Sequence, residues 1–364
     1  MRTARPCTLL PITLAALLAG CGGEEAVVTP PFTWEWIAIP GTACSDGSTT
    51  GIGVEAGPSG DLVLFLDGGG ACWDYATCWL YGTAAQGSGP YGFAQFEPEV
   101  KGLVPGSIVD RTIATNPYKD FTFVFVPYCT GDVHAGDTAR VYAPSMATWH
   151  HRGRANLAAD LAWLSVNLPQ PARVVVTGSS AGGFGALLAF DLAKKTWTGA
   201  KGYLVDDSGP PINDIPQSSV NAWYASWDLG TVMTPLCGTG CQQDLSLAFT
   251  SLRDRYPTDR LALLSTTQDS TMRWFYADLS TGFPVPMPPA TYEAGIRSLA
   301  AAIEDDSATP AGETHAFVVG GAQATSHTML GHPGDFTSQG TGLFQWLGQQ
   351  VSDDPAWAAR IPPP

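Results

Sequence analysis

The sequence predicts an α/β fold: a mostly parallel sheet with helices on both faces and long loops around its rim. Three observations carry that prediction. Short apolar runs without polar alternation recur along the chain, the pattern of strands buried on both faces. Segments with helical spacing lie between them, so strand and helix alternate. Gly (41) and Pro (29) are abundant while charged residues make up only 14%. With 12 Trp, 11 Tyr and 15 Phe, that mix describes ordered loops rather than a solvated tail.

In chain order the strand candidates are Leu62 to Leu66, Phe121 to Val126, Arg173 to Thr177, Gly202 to Val205, Leu261 to Ser265 and Ala316 to Gly320. Helical spacing appears in RANLAADLAWLSVNL, which ends before PQP, and in GGFGALLAFDLAKKT, ATYEAGIRSLAAAIEDD and TGLFQWLGQQV. The spans 67–120 and 207–258 read as long loops rich in Trp, Tyr, Pro and Gly that build the rim of a site.

The chain divides into three parts. Residues 1–20 read as an export signal: Arg2 and Arg5 precede a short apolar stretch that is too short to span a bilayer. That stretch ends in LAGC, Leu18 to Cys21, which looks like a bacterial lipobox with Cys21 as the lipidated N-terminus. Gly22 rather than Asp follows, which points to the outer membrane. Residues 21–33 are then a tether, and 34–364 one catalytic domain, expected to be monomeric. The lipid anchor is the expected membrane contact. A formal net charge of −15 argues against nucleic acid and anionic membrane surfaces as partners.

Six cysteines remain beyond Cys21, an even number that implies disulfides in an exported chain. Short gaps favour Cys72 with Cys78 and Cys237 with Cys241, which leaves Cys44 with Cys129. A metal site is the weaker reading, because no CxxC pair is present and His134 is the one histidine near these cysteines. No metal or organic cofactor is expected.

The chemistry concentrates at VVVTGSSAGGFGALLAF, Val174 to Phe190. GSSAG fits G-x-S-x-G with Ser180 at its centre, after an apolar strand and before a helix. A serine at so sharp a turn is pushed out above the sheet, and glycines on either side let strand and helix pack closely. The Ala181 amide then opens a helix, where a free N–H can meet a developing negative charge. A phosphate-binding reading fails, since no G-K-[ST] follows. Such a serine needs a base and an acid, and in the α/β-hydrolase order the acid and then the histidine follow it. His134, His150 and His151 precede Ser180, and His315 starts the last strand. His327 and His332 lie in the loop after that strand, and His327, nearer the strand end, is preferred. Asp269, after the strand Leu261 to Ser265, is the preferred acid, with Asp207 as the alternative. The glycines of FLDGGGACW, Phe65 to Trp73, offer a second set of amides for an oxyanion.

Together LDGGGACW, PYCTGDVHAGD, HRGRAN, GSSAGG, QDS and SHTML resemble the pectin acetylesterase family, which includes the Notum-type carboxylesterases. The resemblance runs from about Trp34 to about His332. It implies Ser180 as nucleophile, Asp269 and His327 as its partners, and the amides of Gly69, Gly70 and Ala181 as the oxyanion hole. It also implies the pairs Cys72–Cys78 and Cys44–Cys129. Notum-type members carry Trp at the position of Gly70 and Glu at that of Asp67, so their long-acyl substrate does not carry over. The expectation is a secreted serine esterase that removes short acyl groups, such as acetyl, from a polysaccharide such as pectin, a neutral glycan or a small ester. Two other classes remain open: a peptidase using the same three residues, and an inactive glycan-binding lipoprotein whose Trp and Tyr in 67–95 and 221–228 stack on sugars.

Overall fold

A computed structural model describes residues 33–278, 284–305 and 313–364. The expected signal segment and the lipidated Cys21 lie outside the described residues. The strands are β1 (Trp34–Ala38), β2 (Gly51–Glu55), β3 (Leu62–Leu66), β4 (Thr122–Val126), β5 (Thr138–Val141), β6 (Thr148–His151), β7 (Arg173–Ser179), β8 (Lys201–Asp207), β9 (Arg260–Thr266), β10 (Thr314–Val319), β11 (Thr337–Ser338) and β12 (Thr341–Gly342). The α-helices are α1 (Phe93–Leu103), α2 (Gly153–Asn167), α3 (Ala181–Thr196), α4 (Gln217–Trp227), α5 (Gly230–Cys237), α6 (Leu247–Arg255), α7 (Ser270–Phe275), α8 (Pro289–Glu304) and α9 (Leu343–Val351).

Eight strands form one sheet in the order β1-β2-β4-β3-β7-β8-β9-β10. From β4 to β10 all neighbours run parallel, while β1 and β2 close one edge antiparallel. Successive residues of the parallel strands feed opposite cores. Leu62, Leu64, Val174, Val176, Leu204, Leu263 and Val318 pack with α2, α3 and α8 on one face. Val63, Phe65, Val175, Val205, Leu264 and Phe317 pack with Phe96 of α1 and Trp346 and Leu347 of α9 on the other. Burial on both faces is why these strands read as unbroken apolar runs.

Strand order reverses at β3: the chain leaves it toward β4 and later returns to its other side as β7. Ligand crevices in open α/β sheets form outside the carboxyl ends of strands at such a switch point. The glycine run follows β3 there, and Ser180 follows β7.

Three expectations change. The spans 67–120 and 207–258 carry helices α1, α4, α5 and α6, whose periodicity is masked by internal Pro98 and Pro235 and by dense aromatics. The edge strands β1 and β2 are also present, hidden in the sequence because WEWIA places a charge between aromatics and GIGVE carries two glycines in five residues. Finally, of the Trp and Tyr in 67–95 and 221–228, Trp73, Trp223, Trp227 and Tyr91 are buried, while Tyr81 is 69% exposed. Trp223 and Trp227 stack at 5.8 Å with Trp73 edge-on to both. Disulfides join Cys44–Cys129, Cys72–Cys78 and Cys237–Cys241.

Candidate active site

Ser180 sits between β7 and α3 with φ 62° and ψ −121°, a backbone conformation that costs an L-residue energy and persists where its surroundings enforce it. Here the enforcement is visible. The Ser180 amide donates to the Asp207 carbonyl at 2.8 Å, and the Ser180 carbonyl accepts from Gly183 at 3.0 Å. A Cβ at Gly182 would lie 2.0 Å from the Leu66 carbonyl oxygen, so only glycine lets α3 start this close to β3.

Two cavities meet at Ser180 and Gly70. One is an open cleft of about 370 Å³ whose lining includes Asp67, Gly68, Gly69, Thr271 and His327. The other is an apolar pocket of about 40 Å³ walled by Trp73, Phe184, Trp223, Trp227, Met272 and Phe275. Ala181 lines that pocket and is the first residue of α3, where an amide has no intrahelical acceptor.

Asp269 caps α7: its Oδ1 accepts the Thr271 and Met272 amides at 2.9 Å each. Its Oδ2 accepts His327 Nδ1 at 2.7 Å. The carboxylate is fully buried while the imidazole is 15% exposed into the cleft. With Nδ1 engaged, Nε2 is the nitrogen left to take a proton. The loop after β10 thus delivers His327 to the cleft that Ser180 lines. His332, from the same loop, is exposed and rests against Gly106.

The glycine loop is fixed from outside the cleft. The Gly69 carbonyl accepts from Ala85 at 2.6 Å, Gly70 (φ 76°) bridges to Ala84, and the Thr83 hydroxyl donates to the Ala71 carbonyl at 2.6 Å. His134 Nε2 lies 2.8 Å from the Asp67 carbonyl, and burial lowers this imidazole to about 4, so it stays neutral. Sequence order set His134 aside; its part in anchoring the loop carries no motif. The Asp67 carboxyl is held well above the carboxylate range, by loss of solvent first and then by the Glu99 carboxylate.

Asp206 and Asp207 end β8. Burial pushes Asp206 up to about 8, and its Oδ1 accepts the Gly209 amide at 3.0 Å. Asp207 makes no bond to the His327 ring; the Met329 and Leu330 amides and the Ser179 and Ser208 hydroxyls occupy its carboxylate. Among the described residues, the one grouping with metal-ligand spacing is Cys72, Cys78 and His151, and its sulfurs are tied in a disulfide.

Residues 35–232 match the pectinacetylesterase family model, more than half of the chain. The chain belongs to the pectinacetylesterase family. The match covers Ser180 and the glycine loop, whereas Asp269 and His327 lie beyond it. Among curated proteins, this pectinacetylesterase family member is 25% identical over 187 residues to palmitoleoyl-protein carboxylesterase notum1 of Xenopus laevis. That alignment takes in 50% of this chain but only 34% of the frog protein. Among solved structures it resembles the Wnt deacylase Notum from Drosophila in two crystal forms. Their TM-scores are 0.63 and 0.58 at 19% identity, with 89% of this chain and 94% of that chain covered. These neighbours share the α/β-hydrolase-like fold expected from the sequence.

Proposed function

We propose that the protein is a serine carboxylesterase that removes short acyl groups from an esterified glycan or small ester. The observation that carries this reading is the pairing of Asp269 with His327 at the cleft that Ser180 lines. In the reaction, the Ser180 hydroxyl attacks the acyl carbon as His327 Nε2 takes its proton. Asp269 keeps Nδ1 protonated and stabilises the imidazolium. The amides of Gly69, Gly70 and Ala181 receive the oxyanion, and one such donor is typically worth about 3–4 kcal/mol. The imidazolium returns its proton to the leaving alcohol, and water then releases the acid by the same route.

The two cavities divide the substrate. A volume of about 40 Å³ suits a small acyl group such as acetyl better than a long chain. The open cleft suits a bulkier alcohol such as a sugar. The net charge of −15 favours a neutral acetylated glycan over polyanionic pectin, because like charges repel at low salt. Burial of Trp73, Trp223 and Trp227 counts against a purely sugar-stacking role. Three disulfides and the LAGC stretch support export as a lipoprotein anchored through Cys21.

The test is hydrolysis of p-nitrophenyl esters from acetyl to long chains. Activity on the shortest esters, abolished in both Ser180→Ala and His327→Ala and retained in His332→Ala, is the expected result. Equal rates for Ser180→Ala and the unaltered protein would defeat the esterase reading.

A further inference from the structure

We propose that Asp207 is a positioning residue that locks the turn bearing Ser180 to the loop bearing His327. The inference rests on the esterase reading of the site above. Asp207 is the last residue of β8 and is fully buried. Four uncharged donors converge on its carboxylate. Two come from the histidine loop: the Leu330 amide at 2.9 Å and the Met329 amide, shared between both oxygens at 3.1 and 3.0 Å. One comes from the nucleophile's turn, the Ser179 hydroxyl at 2.9 Å. The fourth is the Ser208 hydroxyl at 2.9 Å. The Asp207 carbonyl meanwhile accepts the Ser180 amide at 2.8 Å.

One residue therefore holds the residue before the nucleophile by its side chain, the nucleophile by its main chain, and the second and third residues after the base by its carboxylate. Ser180 and His327 come from strands that are not neighbours, because β8 and β9 lie between β7 and β10. Without a tie across that gap, their separation depends on two independent loops. Burial raises the Asp207 carboxyl, and the converging donors oppose that rise. A carboxylate is the group that meets such donors without presenting a proton of its own. Asn at this position keeps one acceptor and turns the other into an N–H2 that faces a donor. The Met329 amide then meets an N–H2 in the place of Oδ1, and the loop that carries His327 is held less firmly, with Asp269 still engaging the ring.

The experiment compares Asp207→Asn and Ser179→Ala with the unaltered protein in three readouts: p-nitrophenyl acetate kinetics, the melting temperature, and amide exchange at Met329 and Leu330. A displacement of about 1 Å between reacting groups costs about 10²-fold. We expect kcat to fall about 10²-fold in Asp207→Asn and less in Ser179→Ala, with KM within about threefold. Exchange at Met329 and Leu330 should accelerate while β9 amides stay protected. Unchanged exchange and kcat in a folded Asp207→Asn protein overturns the proposal. So does a kcat loss that only tracks the unfolded fraction. If Asp207→Asn does not fold, Ser179→Ala decides by the same criteria. An unaltered protein that hydrolyses no ester defeats the esterase reading instead, and the exchange data then still decide whether Asp207 holds the loop.

Discussion

Replacing Asp269 by Asn separates its two tasks. Oδ1 accepts the Thr271 and Met272 amides, and an Asn oxygen does the same, so the α7 cap survives. Oδ2 accepts His327 Nδ1 at 2.7 Å, and an amide NH2 cannot. The stability loss is then one charge-assisted bond, about 1.5–3 kcal/mol. The imidazole turns Nδ1 into an acceptor and carries its proton on Nε2, the nitrogen that must take the Ser180 proton. In a serine protease with the same three side chains on an unrelated fold, the wrong tautomer costs about 10⁴-fold in kcat, or about 5 kcal/mol of barrier. The assay is kcat on p-nitrophenyl acetate beside a thermal melt. We expect a loss about a hundred times larger than in Asp207→Asn, in a protein that still folds. A folded Asp269→Asn protein that loses less than about tenfold would show that Asp269 does not set the His327 tautomer.

Three further outcomes follow from other parts of the molecule. The Cys44–Cys129 bridge closes a separation of 85 residues and Cys72–Cys78 one of 6, so chain entropy assigns them about 4–5 and about 2 kcal/mol; paired Cys→Ala variants followed by calorimetry should melt in that order, and the reverse order defeats the entropic account. Phe275→Ala widens the apolar pocket at its Gly70 end and should raise the hexanoate-to-acetate ratio of kcat/KM about tenfold, given the tens-fold worth of a methylene in such pockets; an unchanged ratio removes this pocket from acyl selection. Burial lowers His151 to about 3 in the fold, below its unfolded value of about 6.5, so only the unfolded chain takes up its proton as pH falls from 6.5. Its contribution is intact above 6.5 and shrinks by about 3 kcal/mol by pH 4.5; His151→Gln should flatten that acid limb in denaturant titrations, and an equally steep limb refutes the assignment.

The parallel core was legible because burial on two faces leaves an unmistakable record: LVLFL, TFVFV and RVVVT contain almost nothing polar. The edge was not, since β1 carries Glu35 between two tryptophans and one side of it meets solvent. Helices inside the rim were hidden where proline or a glycine-rich neighbour broke the period, as in FAQFEPEVKGL. At the site, the turn around Ser180 announced itself through its glycines, and chain order narrowed the histidine to a single loop. Chain order also favoured Asp269 over Asp207, and it is Asp269 that bonds the His327 ring. Asp207 bonds mostly to backbone amides and serines, and a main-chain partner leaves no trace in a sequence.

The order in which the cleft's parts leave the ribosome has a cost and a use. The glycine loop after β3 comes first, Ser180 next, Asp269 after β9, and His327 only once β10 has docked at the far side of the sheet. A chain that is still being made holds a hydroxyl with nothing to deprotonate it. Hydrolytic competence on this reading arrives all at once, with the final strand, and a molecule truncated before residue 314 should be silent toward esters.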